Sequence, residues 1–166
     1  MNPRVPRCLC QAASLLSAFV AIGLWTPTAV ALTTTESAAK TDQFLGECGH
    51  TFVKKTDTVW YLDYQGKSLE KFKLIIAVQD DLMVVFVTVV TKAQMQLTPE
   101  FTEKLLRYNS RFDRVKIGLD NDGDLFVRCD ASVRIMDLQE FKAVIEQVAN
   151  ATDELHKGIS SMLISK

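Results

Sequence analysis

The chain is short of the side chains that ordinarily carry chemistry. It has two histidines, His50 and His156, and four cysteines, of which Cys8 and Cys10 lie near the N-terminus. Neither histidine has a His, Cys or carboxylate at a spacing that would close a zinc site. A nucleophile elbow, a P-loop and a dinucleotide fingerprint are all missing, so no cofactor and no enzymatic activity are expected. Net charge is also lacking. There are 19 basic and 20 acidic groups, and the first 31 residues carry Arg4 and Arg7 and no acids, which leaves 17 basic against 20 acidic groups beyond them. A mildly acidic domain has no basic footprint for counterion release to reward, which excludes nucleic acid as a natural partner. Glycine and proline are sparse, at seven and four residues, and no linker or internal repeat interrupts the chain. What is present, 166 residues at 48% hydrophobic and 23% charged, suits one folded domain with a real core.

No apolar run is long enough to span a bilayer comfortably. The longest at the N-terminus, Ala12 to Trp25, follows the cationic Arg4 and Arg7 and is broken by Thr26-Pro27-Thr28. Ala29-Val30-Ala31 then supplies the small residues a signal peptidase requires, so cleavage is expected between Ala31 and Leu32. No cysteine directly follows the run, which argues against a lipoprotein. The expected organisation is a signal peptide over 1–31, a short flexible arm over 32–40 and a single α+β domain over 41–166. The product would be periplasmic or secreted, with no stable membrane anchor.

From Thr41, apolar residues at Phe44, Leu45, Cys48 and Phe52 have helical spacing, closed by Lys54 to Asp57. Three segments of strand character follow: Thr58–Tyr64, Leu69–Val78 and Leu82–Val90. The third is apolar at nearly every position, which predicts a strand covered on both faces. Thr98, Pro99 and Glu100 mark a helix start, with Phe101, Leu105, Tyr108 and Phe112 on its buried face. Asp122-Gly123 between two alternating runs predicts a hairpin, with Val115, Ile117 and Leu119 sharing one face and Leu125, Val127 and Cys129 another. From Asp137, an apolar seam through Leu138, Phe141, Ile145, Val148, Thr152, Leu155, Ile159 and Met162 predicts a long final helix packed along its own sheet. The fold class is therefore α+β, helix–three strands–helix–two strands–helix, with an antiparallel sheet packed by helices.

The candidate sites are few. Asp120 to Asp124 has three aspartates, but its glycine falls at the fourth position and Ala131 occupies the twelfth, so a hairpin turn explains it better than a calcium loop. Asn150-Ala151-Thr152 is a formal sequon placed inside a helix. Cys48 and Cys129 both fall on core-facing positions, which suits a disulfide in an oxidising compartment and equally suits two inert buried thiols. Trp60, Tyr61 and Tyr64 form an aromatic strand suited to pairing with an extended partner peptide. The Leu82–Val90 strand, through Val85, Val87 and Val89, is the other expected contact surface.

The middle helix ends Leu105-Leu106-Arg107-Tyr108-Asn109, the hairpin spans Val115 to Asp130 around Gly123, and the last helix runs from Leu138 to Leu155. In these segments, and in its order of elements, the chain resembles the type III secretion chaperone fold and the YbjN-like family that shares it. The resemblance covers most of residues 41–160 and rests on hydrophobic pattern. It implies an often dimeric domain that binds proteins, and it brings no catalytic residues. A secretion chaperone meets its cargo in the cytoplasm and needs no signal peptide, so export favours the YbjN-like branch, loosely described as sensory or regulatory. The expected function is an exported, non-enzymatic protein-binding or accessory domain, partnered by itself as a homodimer and by an unknown protein. A carrier of a small apolar ligand held between sheet and helices is the alternative. A hydrolase ranks last, and its mark would be a pocket serine within hydrogen-bond reach of His50 or His156.

Overall fold

The computed structural model describes residues 31–164. The expected signal peptide, except its last residue Ala31, lies outside the described residues, as do Cys8 and Cys10.

The first helix, α1 (Thr34–Cys48), begins earlier than its apolar spacing suggests. The Thr33 hydroxyl accepts a hydrogen bond from the Glu36 amide at 3.3 Å, and the Glu36 carboxylate accepts one from the Thr33 amide at 2.9 Å. This capping box satisfies two amides that would otherwise be orphaned. The backbone and hydroxyl hydrogen bonds from Thr33 hold the Glu36 carboxyl below the usual range. The segment expected as a flexible arm is thus mostly helix, tied down by buried Ser37 and Ala38. The helix stops at Gly49, whose φ of 81° is the left-handed C-terminal stop that glycine allows. Phe52 therefore leaves the helix and opens a strand, β1 (Phe52–Thr56), that the pattern did not reveal.

β1 is followed by β2 (Val59–Tyr64), β3 (Phe72–Gln79) and β4 (Leu82–Val90). Then come α2 (Pro99–Arg111), β5 (Lys116–Leu119), β6 (Leu125–Ser132) and α3 (Leu138–Ile159). The strands form one antiparallel sheet in the order β1-β2-β3-β4-β6-β5. The α+β architecture is as expected, with a fourth strand before α2 rather than three.

One face of the sheet carries Trp60 and Leu62, Leu74 and Ile76, Met83 and Val85, and Val127 and Cys129, all buried. α3 lies across β4 and β6 on this face, with α1 beside it. Its seam is broader than an apolar stripe, since Val144, Ala149 and Ala151 are buried alongside Phe141, Ile145 and Val148. β4 departs from expectation in one respect. Met83, Val85, Val87 and Val89 are buried, but Val84 and Phe86 are half-buried and Thr88 is exposed. Among the described residues, its second face has no helix over it.

In the hairpin, Ile117 stands opposite Val127 and Leu119 opposite Leu125, so the two expected sets share one face of the sheet. Gly123, at φ 85°, forms the turn, and the Asp120 carboxylate accepts from the amides of Asp122 at 3.0 Å and Asp124 at 2.9 Å. Of the aspartates that suggested calcium, Asp120 is thus engaged in building the turn, and Asp124 accepts from the Lys92 amide at 2.8 Å.

Candidate functional site

The two outermost strands end the sheet differently. Along β5, the side-chain amide of Asn109 on α2 donates to the Ile117 carbonyl at 3.0 Å and accepts from the Ile117 amide at 2.8 Å. One asparagine thus satisfies both outward main-chain groups of the middle of β5. α2 is held there by Phe101, fully buried, and by Tyr108, which lies so close to Gly158 of α3 that a Cβ would fall 1.9 Å from its hydroxyl. Leu105 and Phe112 of the predicted buried face are half-buried.

β1 pairs with β2 on one side, and no described residue covers the other side. Beside it, Asp42 of α1 accepts from the Trp60 indole at 2.7 Å and from Lys54 at 2.6 Å, so one carboxylate ties α1 to β1 and β2. Lys54 also rests 5.5 Å from the centre of the Trp60 ring. Two open grooves flank this edge. The smaller, about 290 Å³, runs between α1 and β1 and is lined by Thr34, Ala38, Ala39, Asp42 and Lys54. The larger, about 760 Å³, lies at the far end of the strands beside His50, Tyr64, Lys71 and Phe72. Its aromatic wall is a tilted stack, with His50–Tyr64 centroids 6.0 Å apart and Tyr64–Phe72 centroids 5.4 Å apart.

Of the six contact residues expected from sequence, four are core. Trp60 and Val85 are fully buried, and Val87 and Val89 nearly so, because the helix-covered face takes the alternate positions that include them. This corrects their reading as accessible contact residues. Tyr61 lies half-buried on the opposite face, and Tyr64 lines the larger groove. Cys48 and Cys129 are both free thiols, so the disulfide alternative is not the arrangement found. The Cys48 thiol donates to the Leu45 carbonyl at 3.2 Å. Burial pushes the Cys129 thiol up, against the opposing pull of Arg114, which leaves it a poor nucleophile at neutral pH. The space where an apolar ligand would sit, between sheet and helices, is filled by Trp60, Phe101, Phe141, Met83 and Ile145.

Ser68 Oγ lies 3.0 Å from His156 Nδ1. Neither residue lines either groove described above, so this is not the pocket serine that would mark a hydrolase, and the contact forms part of a clamp. The neighbouring carboxylate, Asp153, accepts from the amides of Ser68 at 2.7 Å and Leu69 at 2.9 Å, so it fastens the β2–β3 loop to α3 instead of orienting the imidazole. Burial raises its carboxyl, but the amides of Leu69, Ser68 and Lys67 together hold it below the usual range. Gly66 leaves room for this contact, since a Cβ there would stand 2.2 Å from the Asp153 oxygen.

Sequence reasoning missed β1 and Asp42, and gave Asn109 only as the end of the middle helix, with no role. The glycine pair Gly46 and Gly49, followed by Phe52-Val53, was the available sign that a helix had ended. Nothing local marks Asn109 or Asp42, whose partners are eight to eighteen residues away.

No family model matches the chain, and no curated protein does so either. Solved structures do. The complex of ExsC with ExsE has a TM-score of 0.54 at 12% identity, covering 81% of this chain and 99% of that one. YbjN from Escherichia coli has a TM-score of 0.53 at 17% identity, covering 78% and 96%. The ExoU–SpcU heterodimer from the type III secretion system of Pseudomonas aeruginosa gives 0.52 at 20% identity, covering 69% and 93%. At these identities the likeness establishes the fold. It is an α+β domain of the kind found in secretion chaperones and in YbjN.

Proposed function

We propose that this chain is a non-enzymatic protein-binding domain that accepts an extended segment of a partner protein as an added strand on β1. The observation that carries this reading is the unequal treatment of the sheet edges. Asn109 occupies the outward groups of Ile117 in the middle of β5, while the outer edge of β1 has no partner among the described residues and lies between two grooves that could take alternate side chains of an added strand. An open edge is an aggregation hazard unless a partner uses it. ExsC with ExsE and SpcU with ExoU are complexes built on the same fold, which supports the class of function. Export through cleavage between Ala31 and Leu32 is part of the proposal, and it places the partner in the periplasm or outside the cell.

We also propose a homodimer through the outward side of α2, where Leu106 is 64% exposed. Light scattering should give twice the monomer mass, reduced to the monomer by Leu106→Glu. A monomer for the unaltered protein at high concentration would refute this part.

The edge reading is tested by a pair of proline substitutions, Val53→Pro and Lys54→Pro. Successive strand amides point to opposite sides, so one of the two removes an outward donor and the other breaks the pairing with β2. The variant that keeps its melting temperature should lose the partner recovered by crosslinking to the unaltered protein. Retained binding in that variant would exclude strand addition.

A further inference from the structure

The face of the sheet turned away from α1 and α3 carries an apolar shelf that the described residues leave uncovered. Strand register aligns Tyr61, Ile75 and Phe86 in one row across β2, β3 and β4, and Val59, Ala77 and Val84 in the next. All six are half-buried. Val53 extends the first row onto β1, opposite Tyr61, and is 50% exposed. On the other side, Gly118 lets the Phe126 ring lie flat against β5, since a Cβ there would stand 2.8 Å from the ring. Four neighbouring strands at about 4.8 Å spacing make a shelf about 14 Å wide, and a helix with its side chains is about 10 Å across. β4 is apolar on both sides, the composition of a strand with two covers, yet the described residues supply one.

The rim says what the second cover is. Lys55 sits 5.2 Å from the centre of the Tyr61 ring. Lys73 stands beside Asp63, and both Arg128 and Lys116 converge on Asp130. At the end of the shelf Asp81 accepts from Ser132 and pairs with Arg134, so five cations stand around the shelf against three acids, all three engaged, on a chain whose formal net charge is −1. A second copy laid face to face would set cations against cations. The leader of the same chain has Arg4 and Arg7 and no acids. An anionic bilayer would be attracted by the cations but would meet Asp63 and Asp130 among them. We infer that the open face binds an amphipathic helix of a partner protein whose apolar stripe is flanked by acidic residues. The inference shares with the β1 reading only the premise that the domain binds protein.

The test titrates the purified protein with a synthetic helix bearing a leucine stripe between glutamates, with its lysine-flanked twin, and with phosphatidylglycerol vesicles. Methyl resonances of Ile75 and Val84 report occupancy of the face. The glutamate helix should saturate these shifts and bind about tenfold or more tightly than the twin. Phe86→Ser and, separately, Arg128→Glu should each weaken it about tenfold. Thermal melts confirm folding, and Ile75→Ser replaces Phe86→Ser if the latter is unfolded. Phe86→Ser, three strands away from the β1 edge, should leave the crosslink of the partner along β1 unchanged, which separates a failure here from a failure of strand addition. Equal binding of the twin, preference for vesicles, absence of saturation, or indifference to these substitutions would each overturn the proposal.

Discussion

β1 and β5 are both outermost strands of the same sheet, yet they end it in opposite ways. β5 is short, and the Asn109 amide takes over the hydrogen bonds that a further strand would make with Ile117. β1 carries Lys54 and Lys55, charges that discourage casual pairing, but its outward groups have no partner among the described residues. A protein that needed only to avoid aggregation would have closed or shortened both edges. The contrast teaches that closure of β5 is a local act of one side chain, whereas the open edge is kept rigid from behind, by Asp42 joining α1, Trp60 and Lys54.

The largest effect should come from removing the support of the open edge. Trp60→Ala deletes a fully buried ring and the indole bond to Asp42, and should cost about 3–5 kcal/mol in chemical denaturation. A loss below about 1 kcal/mol would mean that the β1–β2 pair does not depend on this anchor. Next comes the closed edge. Asn109→Ala leaves the Ile117 amide and carbonyl to water or to another chain, and should cost about 1–3 kcal/mol and speed exchange of the Ile117 amide. If that amide stays protected, something other than Asn109 closes β5.

Acid should sharpen the comparison at the loop joining β2 to β3. The Asp153 carboxyl is depressed in the folded protein, so the stability it contributes is present above the unfolded carboxylate range and is lost as pH falls through the lower folded value. Exchange at Ser68 and Leu69, corrected for the intrinsic pH dependence, should rise only on acidification below about pH 4. Asp153→Asn should abolish this pH step. The smallest effect belongs to Asp42→Asn. It keeps an acceptor for Trp60 but loses the ion pair with Lys54, whose side chains are 40% and 37% exposed, so the cost should stay below about 1 kcal/mol.

Legibility in the sequence followed the range of the interactions. Helix starts at Thr98 and Asp137 were readable because a cap and its amide sit three residues apart. The hairpin at Gly123 was readable for the same reason. The Thr33–Glu36 box was equally local, yet a Thr- and Ala-rich composition masked it as an arm. β1 was hidden because Phe52 falls in step with Phe44, Leu45 and Cys48, and Gly49 breaks that step without changing the spacing. The site was the least legible part. Which aromatic of Trp60-Tyr61 faces the core depends on strand register and on Asp42, eighteen residues away, and alternation alone does not say which alternate is inside.

The central claim is that partners enter along β1 and not along β5. A photo-crosslinking residue placed at Lys54 on β1, beside the smaller groove and away from the shelf, and, in a second protein, at Ser110 beside Asn109 tests it in cells, with adducts identified by mass spectrometry. The account predicts heterologous adducts from the Lys54 position, with only self-adducts or none from Ser110. Heterologous adducts from Ser110 with none from Lys54, or equal yields from both, would contradict it.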